Sequence, residues 1–378
     1  MIKITDKTNC CGCSACVQCC PKQCITMRQD EEGFNYPIVN SDECIACGLC
    51  EKVCPILNCG ESKKPLKVYA VKNRNEEIRL RSSSGGIFTV LAEVVIRKGG
   101  VVFGVAFDRN WNAVHTYTEN IEELAAFRGS KYVQSEIGSS YKQVRSFLKN
   151  GREVLFTGTS CQIAGLKRFL IKDYPNLLTL EILCHGVPSP KVWQRYLAEK
   201  KAQFQCENIC KISFRDKGKG WTRFNLVIDF KSGNQYVVPF DNDIYFKGFL
   251  ANLYLRPSCY SCKCKNGRAD SDIVIADYWN IDAVLPEFND NKGVSLVLIN
   301  SKKGEDLYSN INGIEFEETE YEISKGKNGG FAENIPVHPH RKSFFKKYKS
   351  VSSISFYIEK KLQPSLIQRI KNRLRHVI

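Results

Sequence analysis

Two stretches, Cys10-Cys11-Gly12-Cys13-Ser14-Ala15-Cys16-Val17-Gln18-Cys19-Cys20-Pro21 and Cys44-Ile45-Ala46-Cys47-Gly48-Leu49-Cys50-Glu51-Lys52-Val53-Cys54-Pro55, repeat one spacing, C-x₂-C-x₂-C-x₃-C-P. Thiolate sulfur is the soft ligand that iron takes, and at this spacing the fourth cysteine of each run reaches across to the other cluster. The spacing predicts one 4Fe-4S cluster on Cys10, Cys13, Cys16 and Cys54, and a second on Cys44, Cys47, Cys50 and Cys20. Paired C-x₂-C also holds zinc, but a zinc site closes on four ligands, whereas this run offers eight with a proline after each fourth cysteine.

The first 62 residues therefore read as a bacterial-type two-cluster ferredoxin domain. Of the 19 cysteines in 378 residues, twelve fall within the first 59 at cluster spacing and without an export signal, which points to a reducing compartment rather than disulfides. Cys11, Cys19, Cys24 and Cys59 lie off the ligand register and read as small buried fillers or spare thiols. A 43% hydrophobic and 25% charged composition suits an ordinary globular protein of two or three domains. No apolar run is long enough to span a bilayer and no signal pattern opens the chain, so the expectation is a cytoplasmic protein.

The net charge of +15 is uneven, with residues 341–378 carrying eleven Lys or Arg against Glu359 alone. Leu366, Ile367, Ile370, Leu374 and Val377 form an apolar stripe there, with Arg369, Lys371, Arg373 and Arg375 on other faces. That pattern suits either a helix packed on the body or peripheral binding to an anionic inner-membrane surface. No nucleic-acid motif accompanies the charge, which argues against a nucleic-acid partner.

Hydrophobic periodicity predicts an α/β or α+β body with a largely parallel sheet. Strands over 66–71, 101–107, 153–157 and 177–184 alternate with helices over 87–98, 139–150, 161–170 and 190–204. Strands at 209–215, 225–230 and 235–239 follow, the last two as a hairpin, then buried strands at 272–277 and 294–300 and a helix after Ser301. The organisation read from this is a head (1–62), a linker ending at Pro65, a body in two parts (66–150 and 151–335) and a basic amphipathic tail (336–378).

Four body cysteines stand at element ends. Cys161 opens a helix after a strand, where the helix field favours thiolate, Cys184 follows another strand, and Cys259 and Cys262 form a C-x₂-C. Together they suffice for a third 4Fe-4S cluster or for a Cys₄ zinc site. Ser82 to Gly86 before a helix is a candidate anion cradle or a plain serine cap, and Asp277-Tyr278-Trp279 at a strand end is a pocket wall or a core edge.

These stretches resemble the beta subunit of coenzyme F420 hydrogenase/dehydrogenase, in the form with a two-cluster ferredoxin head. The matching motifs are Ser82-Ser83-Ser84-Gly85-Gly86, Gly129-Ser130-Lys131-Tyr132-Val133-Gln134-Ser135, Thr157 to Gln162, Cys184 to Pro190, Cys259 to Cys262, and Asp272 with Asp277-Tyr278-Trp279. The resemblance implies a mixed-sheet flavin-binding body, with FAD contacted by Ser83, Ser84, Gly85, Gly86, Lys131, Gln134 and Ser135, and Cys161, Cys184, Cys259 and Cys262 holding the body cluster. It implies an oxidoreductase in which Lys131 and Asp277 serve catalysis, with a ferredoxin or a catalytic subunit as redox partner. Coenzyme F420 is the acceptor in some members. Ser160 stands where proline is common in the family, and Ala276 and Asn280 where glycines usually flank the Asp-aromatic-Trp motif, so the acceptor is left unnamed.

Overall fold

A computed structural model describes residues 1–324 and 333–363. In the head, β1 (Ile25–Gln29) and β2 (Asn35–Val39) pair antiparallel through the turn at Gly33, with a cysteine run on either side. The body strands are β3 (Lys67–Asn73), β4 (Val101–Phe107), β5 (Ala113–Thr118), β6 (Val154–Thr159), β7 (Leu177–Ile182), β8 (Ile209–Asp216), β9 (Asn225–Phe230), β10 (Gln235–Pro239), β11 (Ile273–Asp277), β12 (Ser295–Ile299) and β13 (Ile314–Glu318).

Eight of these form one sheet in the order β13-β3-β12-β11-β7-β6-β4-β5, and β10-β9-β8 form a second, antiparallel one. Only β4/β6, β6/β7 and β7/β11 are parallel. The remaining four pairings are antiparallel, so the large sheet is mixed and not largely parallel. The correction comes from elements with little periodic signal. β5 returns from β4 through a tight turn at Asp108, and β13 is an edge strand whose Glu residues face water. The helix Ile244–Leu250 is apolar on nearly every side, so no helical period marks it.

The parallel centre matters most for the site, because it brings the carboxyl ends of β6, β7 and β11 to one edge, where open α/β sheets place their ligands. Cys161 follows β6, Cys184 follows β7, and Asp277 closes β11. The helix Ser160–Leu170 is started there by a capping box between Thr159 and Gln162.

The head is not a bead on a string. Ala15, Val53 and Ile56 of the head share one hydrophobic core with Tyr141, Ile163 and Leu166 of the body. Gly165 permits this contact: a Cβ there would come within 2.9 Å of Cys13 Cβ and 3.0 Å of Cys13 Sγ. The segment read as a linker is tied down as well, by Ser62 Oγ donating to Asn266 O at 2.8 Å and by the Lys63–Asp270 ion pair.

The helices Arg341–Lys347 and Ile354–Leu362 pack on the body through Phe344, Ile354 and Ile358. Arg341 pairs with Glu32 at 2.5 Å, and Lys349 with Glu31, so part of the charge of the basic tail clasps the head. The apolar stripe from Leu366 to Val377 lies outside the described residues. Among the described residues no helix is long and apolar enough to cross a membrane.

Candidate iron–sulfur relay and flavin edge

Cys20, Cys24, Cys44, Cys47 and Cys50 line one cavity with Ile25 and Val39. Left-handed backbone at Ala46 and Gly48 curls the second run around it, and Ile2 N donates to Cys50 Sγ at 3.3 Å. Cys47 is exposed, so this outer site opens to solvent. The donor set suits a cluster: Cys20 of the first run and Cys44, Cys47 and Cys50 of the second face a shared volume, with Cys24 Sγ 3.4 Å from Cys20 Sγ beside them.

Cys10, Cys13, Cys16 and Cys54, the ligands expected for the inner site, lie toward the body, with Cys13 against Gly165 and Cys10 against Arg256. Burial, and then the charges of Cys10 and Cys54, push the Cys16 thiol up. Cys54 is raised likewise, by burial with Cys10 beside it. Cys20 thus lies with the second run's first three cysteines, and Cys54 lies near Cys10 and Cys16 of the first.

On the body side, Cys161, Cys184, Cys259 and Cys262 lie near enough for their charges to act on one another. Burial, followed by the charges of Cys259, Cys161 and Cys262, raises Cys184, and burial pushes Cys259 up to about 12. Cys262 goes the other way, down to about 6, because Cys264 hydrogen-bonds to it and Lys265 lies near. Cys161 is raised by its hydrogen bond with Cys11 and by burial, so the first-turn helix field does not prevail there. Cys11 is buried in the core shared by head and body, and the thiols of Cys13 and Cys161 both act on it. Its off-register spacing concealed this, since only the docked body supplies the second neighbour.

The flavin residues implied by the resemblance fall into two groups. Ser83 Oγ accepts from Ser130 N at 2.7 Å, and Lys131 Nζ donates to the carbonyls of Phe127, Arg128 and Gly129 at 3.2–3.3 Å. Burial pulls Lys131 down to about 7, and among the described residues no carboxylate pairs with it. Ser84 donates to Val294 O, and Gly85 is required because a Cβ would meet Val71 O at 2.2 Å. The carbonyls of this loop are held by cations that sequence reading missed: Arg215 Nη2 donates to Ser83 O at 3.0 Å and Lys217 Nζ to Ser84 O at 2.6 Å. Gln134 and Ser135 are engaged elsewhere. Gln134 Nε2 donates to Cys11 O at 3.2 Å, and Ser135 Oγ accepts from Gln162 Nε2 at 2.9 Å.

Asp277 is no free carboxylate. Both oxygens take hydrogen bonds from Arg215, at 2.9 and 3.0 Å, and Oδ1 also accepts from Trp221 Nε1 at 2.8 Å. Burial alone would lower Arg215, but Asp277 outweighs it and holds the guanidinium charged. Trp279 stacks on Trp221 with ring centroids 5.1 Å apart, and the pair walls the end of β11. This geometry makes Asp277 a fixed counter-charge.

Comparison with known proteins agrees with this layout. Residues 9–57 match the 4Fe-4S dicluster domain, 68–142 the N-terminal part of the coenzyme F420 hydrogenase/dehydrogenase beta subunit, and 151–323 its C-terminal part. The chain is therefore an iron–sulfur protein of the oxidoreductase class. It belongs to the family of the coenzyme F420 hydrogenase/dehydrogenase beta subunit, with a 4Fe-4S dicluster domain in front.

It is 22% identical over 298 residues to a subunit of the F(420)H(2) dehydrogenase of Methanosarcina mazei, a match covering 72% of this chain and 77% of that one. The head alone is 42% identical over 53 residues to Ferredoxin-1 of Caulobacter vibrioides, or 14% of this chain and 42% of that ferredoxin. A chain in the structure of the F420-reducing [NiFe] hydrogenase complex from Methanosarcina barkeri aligns with 79% of this chain and 91% of its own length, at 19% identity and a TM-score of 0.48.

Proposed function

We propose that this chain is an iron–sulfur flavoprotein oxidoreductase that takes electrons from a reduced carrier protein at the outer head site. It would pass them through the inner site and a third 4Fe-4S cluster on Cys161, Cys184, Cys259 and Cys262 to FAD, and on to an acceptor that remains to be named. The observation that carries this reading is that those four cysteines lie within electrostatic range of one another, with Cys161 packed against the same core as Cys11 and Cys13 of the head. When bound, the clusters supply single-electron steps and the flavin couples them to two-electron chemistry.

The chain's own residues space and hold these centres. Lys131, a buried cation held only on carbonyls, fits a neighbouring anionic group that would restore its charge. Ser83, Ser84, Gly85 and Gly86 carry the loop beside it, and the Arg215–Asp277 pair fixes that loop from below.

Anaerobic purification with iron, sulfide, zinc and released-flavin assays on one sample tests the scheme. About twelve irons, as three cubanes of four, with one FAD supports it. About eight irons with zinc and no flavin leaves a ferredoxin joined to a zinc-bearing body.

The Methanosarcina mazei relative is named as a subunit, which favours a second reading: an electron-transfer subunit that acts only with a catalytic partner. Reduction of a small acceptor by the purified chain alone would dismiss that reading.

A further inference from the structure

Arg256 is one of the largest fully buried side chains, 1% exposed, yet it carries a charge with no carboxylate partner among the described residues. Its planar fork is engaged with the head at Nε and Nη2 and with the body at Nη1. Nε donates to Cys10 O at 2.8 Å, Nη2 to Asn35 O at 2.9 Å, and Nη1 to Gln134 Oε1 at 3.0 Å. Nη2 also points at Cys10 Sγ, 3.6 Å away. The guanidinium lies over the Tyr36 ring at 4.4 Å, and Gly12 leaves room for it, since a Cβ there would come within 2.8 Å of Nη1. On the body side its own carbonyl accepts from Cys259 N at 3.0 Å, so one residue is bonded to a cysteine of the inner site and to a cysteine of the body.

A buried cation without a counter-ion is costly, and the one source of negative charge this site is built to hold is a thiolate-ligated cluster. The reduction potential of such a cluster depends on its net charge, on hydrogen bonds to its sulfurs and on solvent exposure. Arg256 acts on the first two at Cys10 and makes no hydrogen bond to the cysteines that line the outer cavity. Reduction adds negative charge, which a fixed cation stabilises.

We propose that Arg256 is a potential-setting residue of the inner head cluster, holding its reduction potential above that of the outer one and so drawing electrons inward toward the body. Acting through Cys10 and through space, it is a positioning residue and not a catalytic one. The inference rests on the proposed relay for the identity of the group at Cys10.

The test is a reductive titration of the full chain, purified without oxygen and followed by electron paramagnetic resonance. The inner signal is assigned as the one missing from Cys13→Ala. In Arg256→Gln the inner cluster's reduction equilibrium should fall about tenfold, equivalent to about 59 mV for one electron, with the outer signal unmoved. Arg256→Lys keeps the charge but loses the fork, so it should fall between wild type and Gln. If the Gln variant does not fold, Lys decides alone: a shift confined to the inner signal supports the proposal, and no shift, or an equal shift at both head sites, overturns it. A Lys variant shifted as far as Gln also overturns it, because the charge is then not the agent. Wild-type protein lacking any cluster signal would overturn the relay itself, whereas normal signals with unchanged potentials overturn this inference alone.

Discussion

Lys131 gives a prediction whose sign and size both follow from its surroundings. Its ammonium is buried, held on three carbonyls, and pulled from an ordinary 10.5 down to about 7 by loss of solvation. At about 1.36 kcal/mol per factor of ten, that fall corresponds to a destabilisation on the order of 5 kcal/mol when the group is charged in both folded and unfolded chains. Removing the ammonium frees three carbonyl acceptors, but these residues are only half-buried and water can take its place, so the loss takes back about 1–3 kcal/mol in all.

Lys131→Met should therefore stabilise flavin-free protein by a net of about 2–4 kcal/mol below pH 7. Above pH 7 the folded chain sheds the proton while the unfolded chain keeps it up to about 10.5, so wild-type stability climbs with pH and the variant's advantage fades. Urea unfolding followed by tryptophan fluorescence, at about pH 6 and about pH 9, reads both effects. Lys217 is also lowered to about 7 by burial, so the variant should keep part of the wild-type slope. A variant less stable than wild type at the lower pH, or with an unaltered slope, would refute the reasoning. Flavin-loaded protein should show the opposite preference, because the anionic group compensates the charge; equal flavin content in variant and wild type removes Lys131 from the flavin site.

Three further outcomes follow from the packing. Gly165→Ala must push on Cys13, so it should cost about 1–3 kcal/mol and lower the iron content by about four, with the outer cluster's signal intact. Cys20→Ala should remove the outer cluster and leave the inner one, because Cys20 lines the outer cavity; loss of the inner signal instead would mean that the two runs do not cross. Asp277→Asn leaves Arg215 buried without its counter-charge and should destabilise by about 3 kcal/mol or more, measured by urea unfolding, whereas an undiminished stability would place the pair outside the fold's support.

Much of the head was legible because cluster ligation is local chemistry: the C-x₂-C-x₂-C-x₃-C-P spacing is set by what a short loop can wrap around iron and sulfur. The body's alternating elements were legible for a similar reason, since the strand at 101–107 is a continuous apolar run and the helix at 87–97 declares one buried face. The proportion of parallel strands was not, because it depends on where β5, β12 and β13 pair, and the polar edge strand β13 carries little periodic signal. The body cysteines could be picked out as thiols at element ends, but their proximity needed the parallel centre of the sheet.

By itself, then, the order of residues determined the ligand spacing, the family and the local elements. Which thiols face solvent and which face the body, that Cys11 is buried between them, and that Arg256 lies charged beside Cys10 were decided only when head and body closed around one core. The physical reason is that desolvation and neighbouring charge act through space: an arginine 246 positions from a cysteine has no interaction with it until folding excludes the water between them.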